Sequence, residues 1–177
     1  MRKHLERGLV QVYMGFGKGK TSAAFGLALR AVGRGLRVFM IQFIKGGFDY
    51  GELHAVEQLP NFELRAFGRG KFIKDVPPME EDVKLAEEAF ELVREVVLGG
   101  EYDVVILDEI NVAMNLKLVG VEAVLDLIKR KPKHVELVLT GRYAPEEVVK
   151  VADLVTEMRE VKHPYAQGQA PREGIEY

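Results

Sequence analysis

The stretch VYMGFGKGKTSAAFGLALRAVG, residues 12–33, decides how this chain is read. An apolar run closes at Met14. Gly15, Gly17 and Gly19 then alternate with Phe16 and Lys18, and Lys20, Thr21 and Ser22 open a helix pattern rich in Ala and Leu. Strand, glycine turn and helix form the context that a phosphate-binding loop requires. The glycines let the backbone turn tightly and aim successive amides at an anion, and the helix N-terminus adds positive potential. Lys20 then reaches terminal phosphates as a point charge and the Thr21 hydroxyl ligates Mg2+. The expected ATP cradle is Gly15, Phe16, Gly17, Lys18, Gly19, Lys20, Thr21 and Ser22. One position departs: the general pattern wants glycine five residues before Gly19, where Met14 stands. The three remaining glycines keep the anion nest, so the departure marks a variant class of loop.

Working outward, runs of strand length fall at 9–14, 37–43, 103–108, 135–141 and 154–158. Residues 62–67 alternate in polarity and suit an edge strand. Helical patterns cover 20–33, 79–98 and 120–131, and another begins near Pro145, a residue suited to a first helical turn. In the second of these, Val83, Ala86, Phe90, Val93 and Val97 recur at spacings of three and four, one apolar face. DVVILD (103–108) is nearly continuous in apolar residues, as in a strand buried on both faces. The alternation predicts an α/β protein, a P-loop NTPase-like three-layer fold with a mainly parallel central sheet flanked by helices. Residues 1–177 are expected to form a single domain, with 1–8 a mobile N-terminal arm and 160–177 an irregular tail. Segments 44–52 and 68–78 lack regular pattern and follow strands, where ligands sit in open α/β sheets.

A phosphate loop calls for a carboxylate at the end of a second buried strand. Asp108 and Glu109 stand there. Asp108 would hold Mg2+ directly or through water, and Glu109 would ligate it or orient a nucleophile. Arg142, in the TGR after strand 135–141, offers a planar fork to phosphate oxygens. Lys45, in FIKGG, would meet phosphate or the rim of a second substrate. His163 has no companion at ligand spacing, so no metal role is expected of it.

Composition narrows the classes. The formal net charge is -2, which leaves no basic footprint for nucleic acid. Cysteine is absent, which removes disulfides, thiolate nucleophiles and cysteine metal sites. No apolar run approaches the roughly 20 residues that span a bilayer, so neither a membrane nor a nucleic-acid partner is expected and the cytoplasm is the expected location.

The residues resemble one family, the ATP:corrinoid adenosyltransferases of the cob(I)alamin type. The likeness runs through the loop and its helix, through IQFIKGG (41–47), DVVILDEINVAM (103–114), VLTGRYAPEEVVKVADLVTEM (138–158) and EVKHPYAQGQAPREGIEY (160–177). The family's own loop also leaves the general pattern where Met14 stands. The resemblance implies alkylation rather than phosphoryl transfer: Co(I) of a reduced corrinoid attacks the 5′ carbon of ATP, and triphosphate leaves. It assigns Lys20 and Glu109 catalytic roles in stabilising the leaving group, and Thr21, Glu109 and Asp108 the metal, Mg2+ or Mn2+. It further implies a corrinoid substrate, a place in adenosylcobalamin synthesis or salvage, a reductase (expected to be a flavoprotein) supplying Co(I), and a homodimer. Two departures stand out. Phe16 occupies a position where the family often carries Asn, and GKFIKD (70–75) replaces the family's GFTW, leaving Phe72 and Ile73, with Phe67 and Lys45, as candidate corrinoid contacts.

Two other readings fit the loop without the resemblance. One is a small P-loop kinase or ATPase. The other is a binding module that senses nucleotide without turning it over.

Overall fold

The structure, a computed structural model, describes residues 4–47, 49–70 and 78–177. Six strands alternate with helices along the chain: β1 (Val10–Met14), α1 (Lys20–Val32), β2 (Val38–Gln42), α2 (Gly51–Val56), β3 (Phe62–Ala66), α3 (Glu80–Gly99), β4 (Val104–Asp108), α4 (Ile110–Asn115), α5 (Val121–Arg130), β5 (Glu136–Thr140), α6 (Glu146–Val151) and β6 (Leu154–Glu157). The strands form one sheet in the order β3-β2-β4-β5-β1-β6. Every pairing is parallel, so the expectation of a mainly parallel sheet understates the order.

Side chains of successive strand residues point to opposite faces, and the central strands fill both. On one face Val38, Met40, Val104, Ile106 and Val138 pack with Ala24, Ala28 and Ala31 of α1. On the other, Phe39, Ile41, Val105, Leu107, Leu137 and Leu139 pack with Phe90, Val93 and Val97 of α3 and with Leu127 of α5. Small alanines on α1 bring that helix close to the sheet and carry the phosphate loop down with it. The near-continuous apolar character of β4 follows from this sandwich, since each of its five residues is buried. Burying each large aliphatic side chain there stabilises the fold by about 2 kcal/mol before entropy is counted.

The two edges differ. β3 closes one side of the sheet, in keeping with its alternating pattern, while β6 closes the other with all four residues exposed. Pro145 is the N-cap of α6 rather than part of its first turn, and its carbonyl accepts the N–H groups of Val148 and Val149. The tail is not wholly irregular, since Pro164–Gln167 form a 3-10 turn.

Register sets up the site. Gln42 of β2 lies beside Asp108 of β4, Tyr13 of β1 beside Thr140 of β5, and Met14 beside Glu157 of β6. The carboxyl ends of the strands therefore finish level at one rim. Backbone strain gathers at the same rim: Ile44 after β2, Glu109 after β4 and Tyr143 after β5 all have positive φ, at 65°, 62° and 59°. L residues with side chains rarely adopt that conformation, and of the four that do among the described residues only Lys117 lies elsewhere, after α4.

Candidate active site at the phosphate loop

Met14 is the last residue of β1, paired in register with Glu157 and packed against the core. It is a strand residue, so nothing at that position requires glycine. The turn begins at Gly15, where φ is 98°, and ends at Gly19, where φ is 116°. Space makes a second demand. A Cβ on Gly15 would lie 2.5 Å from the carbonyl oxygen of Met158, and one on Gly17 would lie 2.7 Å from the same atom. The loop is pressed against the end of β6.

The loop delivers an uncapped helix. Gly19 offers no side chain to the first N–H groups of α1, and the first turn of α1 carries no acidic residue. By contrast α3 starts with Glu80, Glu81 and Asp82, and α6 with Glu146 and Glu147. The free amides and positive end of α1 are thus left for an exogenous anion. Lys20 folds back over the turn, its Nζ donating to the carbonyls of Gly15 at 2.7 Å and Gly17 at 2.8 Å. Burial pushes its ammonium below the usual lysine range, and the nearby Glu109 charge opposes that shift.

Asp108 is fully buried and its carboxylate is saturated. Oδ1 accepts from Thr140 Oγ1 at 2.6 Å and from Thr21 Oγ1 at 3.0 Å. Oδ2 accepts from Lys45 Nζ at 2.7 Å and from Gln42 Nε2 at 3.3 Å. Four elements are tied to one side chain. Glu109 behaves differently: its N–H donates to Thr140 Oγ1 at 3.0 Å, but its carboxylate has no hydrogen-bond partner among the described residues. That carboxylate lies over Gly141, where a Cβ would be 3.2 Å from Oε2. Burial, and then the charge of Asp108, raise the Glu109 carboxyl above the usual range, against the pull of Lys45, Lys20 and Arg142.

Glu109 shares a cleft of about 530 Å³ with Lys18, Lys20, Thr21, Ser22 and Lys45. Tyr50 and Phe25 supply aromatic wall, and the chain from Gly174 to Tyr177 closes one side. There Lys18 Nζ pairs with Glu176 Oε1 at 2.9 Å. Arg172, and after it Lys18, hold the Glu176 carboxyl down at about 2. Docking of the tail on the loop has no signal in the sequence.

The donors facing this cleft are oxygens, Thr21 Oγ1 and Glu109, with Asp108 behind them. That is the chemistry of a hard divalent cation such as Mg2+, which keeps waters and takes phosphate oxygens to complete its shell. Among the described residues no group of three His, Cys, Asp or Glu side chains stands ready to hold a metal alone. A two-ligand site completed by phosphate fits that arrangement.

Arg142 is exposed, with its guanidinium 5.7 Å above the Phe16 ring. Phe16 is exposed too and meets Tyr143 edge to face at 5.3 Å. Lys45 reaches inward to Asp108 and Thr21. Phe67 is partly buried against the core and, with Ile44, Asp82, Leu85 and Leu118, borders a separate hollow. Phe72 and Ile73 lie outside the described residues. His163 Nδ1 accepts the N–H of Tyr165, a local turn contact.

A glycine loop joining β1 to α1, facing carboxylates at the end of β4 of a parallel sheet, is the arrangement of the phosphate-loop α/β fold. Residues 6–177 match the profile of the ATP:corrinoid adenosyltransferases BtuR/CobO/CobP. The chain belongs to that family. It is 37% identical over 174 residues to a corrinoid adenosyltransferase of Sinorhizobium sp, covering 97% of this chain and 81% of the relative. It is 35% identical over 173 residues to the corrinoid adenosyltransferase of Escherichia coli K12, covering 97% and 87%. The corrinoid adenosyltransferase CobA of Salmonella typhimurium LT2 is 34% identical over 173 residues, with the same coverage.

Proposed function

We propose that this protein transfers the 5′-deoxyadenosyl group of ATP to the Co(I) centre of a reduced corrinoid and releases triphosphate. The observation that carries this reading is the single cleft in which an uncapped helix N-terminus, the Lys20 ammonium and the open Glu109 carboxylate face one another. Such a cleft holds a polyphosphate and steadies it as a leaving group.

In the step itself the Co(I) electron pair forms a cobalt–carbon bond, the C5′–O bond breaks, and that pair leaves on triphosphate. Loop amides from Lys18 to Thr21 and the Lys20 ammonium meet the charge that develops on the leaving oxygens, while the Gly17 N–H is kept by the Met158 carbonyl. Those contacts also fix the triphosphate so that C5′ stays in line for attack. Thr21 and Glu109 would hold Mg2+ or Mn2+, with Asp108 fixing the Thr21 hydroxyl. The metal, when bound, neutralises phosphate charge. The Arg142 charge is felt by both Lys20 and Glu109, which supports a role for it toward the triphosphate.

The reading extends to the chain's setting. Residues 1–177 act as one phosphate-loop domain, in the cytoplasm, as a homodimer served by a reductase that supplies Co(I) for adenosylcobalamin synthesis or salvage. Among the described residues no helix is long and apolar enough to cross a membrane.

The deciding experiment is anaerobic. Protein, ATP, Mg2+ and chemically reduced cobalamin are mixed, and the products are followed by absorbance and ion chromatography. A light-sensitive alkylcobalamin spectrum together with intact inorganic triphosphate is expected. ADP and phosphate formed without corrinoid would replace this reading with that of a kinase or ATPase.

A further inference from the structure

Lys45 leaves the end of β2 through Ile44, whose positive φ of 65° turns the chain back toward the sheet. Its Nζ donates to Asp108 Oδ2 at 2.7 Å and to Thr21 Oγ1 at 3.0 Å. Thr21 Oγ1 spends its proton on Asp108 Oδ1, so the lone pair that receives Lys45 is the one a metal ion would use. An ammonium and a divalent cation cannot share that place, because they would meet at hydrogen-bond distance with like charge.

We propose that Lys45 is the resident cation of the metal position: it holds Thr21 and Asp108 in place, yields Thr21 Oγ1 when a metal enters, and passes its own charge to the triphosphate. The inference rests on the metal reading above and deepens it. Three observations carry it. The ammonium sits on Thr21 Oγ1, one of the two oxygens of the metal site, and on Asp108, the carboxylate that fixes it. The charge it would leave behind on Asp108 remains satisfied by Thr140, Thr21 and Gln42, so departure does not strand a bare buried carboxylate. Lys45 also lines the same cleft as Lys20 and Glu109, so a displaced ammonium stays among the phosphate oxygens. The ring of Tyr50, 5.9 Å from Nζ, offers a face on the way out.

The two halves of this role have opposite signs, which separates it from a merely structural one. Mn2+ binding is measured by electron paramagnetic resonance on folded wild-type protein and on Lys45→Met, first with Mn2+ alone and then with Mn2+ and inorganic tripolyphosphate. Lys45→Met should bind Mn2+ alone about tenfold more tightly, because its competitor is gone, and Mn2+–tripolyphosphate about tenfold more weakly. Unchanged or weaker binding of Mn2+ alone overturns the proposal, as does unchanged or tighter binding with tripolyphosphate. Glu109→Gln tests the reading beneath it. If that variant binds Mn2+ as wild type does, the metal reading falls; if it loses Mn2+ while Lys45→Met changes nothing, only the role of Lys45 falls. Should Lys45→Met fail to fold, Lys45→Arg, which keeps the charge, must bind Mn2+ alone no more tightly than wild type; tighter binding overturns the proposal.

Discussion

The backbone N–H of Gly17 donates to the carbonyl of Met158 across 2.7 Å, fastening the middle of the phosphate loop to the end of the edge strand β6. A second bond, from Met158 N–H to Met14 O at 2.8 Å, completes the clasp. A side chain at Gly17 has nowhere to go, since its Cβ would lie 2.7 Å from Met158 O and 2.8 Å from the carbonyl carbon of Arg159. Gly17→Ala should therefore destabilise the fold by about 2 kcal/mol and lower Tm by about 5 °C. Circular dichroism melts measure this, and a Tm within a degree of wild type would show that the clasp yields freely.

Lys20→Ala should separate turnover from stability. Removing the ammonium costs two hydrogen bonds to the carbonyls of Gly15 and Gly17 but relieves the burial of a charge, and the two effects partly offset. Its contribution to the leaving triphosphate is lost entirely. Alkylcobalamin formation is expected to fall by about 100- to 1000-fold, with Tm changed by only a few degrees. Full activity in a folded variant would remove Lys20 from the chemistry.

The larger features of this arrangement were legible because they obey short-range rules. The glycine loop declares itself by spacing, and β4 by its unbroken apolar run before Asp108. α2 and α4 escaped, since six residues hold little of a helical period and neither opens on a proline, as the equally short α6 does. Lys45 was legible as a loop lysine but not as a partner of Asp108, because its direction depends on the positive φ of Ile44. Phe67 follows a strand, as a ligand contact would, and the structure packs it partly buried against the core. Glycine patterns tell where a chain turns; they do not tell what then approaches it. Met14 is the converse case: a mismatch in the pattern becomes an ordinary strand residue once β1 is seen to end there.

Asp82 joins the start of α3 to the segment after β3. Its carboxylate takes a forked pair from Arg69, Nε at 2.6 Å and Nη2 at 2.7 Å, and also accepts the Met79 N–H at 2.9 Å. Bonding to Arg69, then to the Met79 amide, holds the Asp82 carboxyl below its usual range. The folded state therefore releases this proton more readily than the unfolded chain. The stability it contributes is present above the unfolded value of about 4 and is lost as pH falls through that value toward the folded one. Asp82→Asn should cost about 2 kcal/mol, or about 6 °C in Tm, at pH 7. The gap between variant and wild type should narrow below about pH 4. A gap that stays constant from pH 7 to pH 3 would mean that the ion pair contributes nothing through its charge.

Phe16 has its explanation in Tyr143. The two rings meet edge to face at 5.3 Å and 88°, and the Arg142 guanidinium stands 5.7 Å above Phe16. Tyr143 holds a φ of 59°, unfavourable for a bulky side chain, and that turn is what carries its ring toward the loop. The contact therefore braces the segment after β5 against the phosphate loop from outside, in a place that the sequence separates widely. Both rings are about half exposed, at 55% and 49%, so each single alanine variant should lose little stability. Their coupling is the sharper quantity. A double-mutant cycle of Phe16→Ala and Tyr143→Ala, read from urea midpoints, should give an interaction of about 1 kcal/mol. Strict additivity would mean that the rings touch without bracing anything, and that Arg142 is positioned by the backbone turn alone.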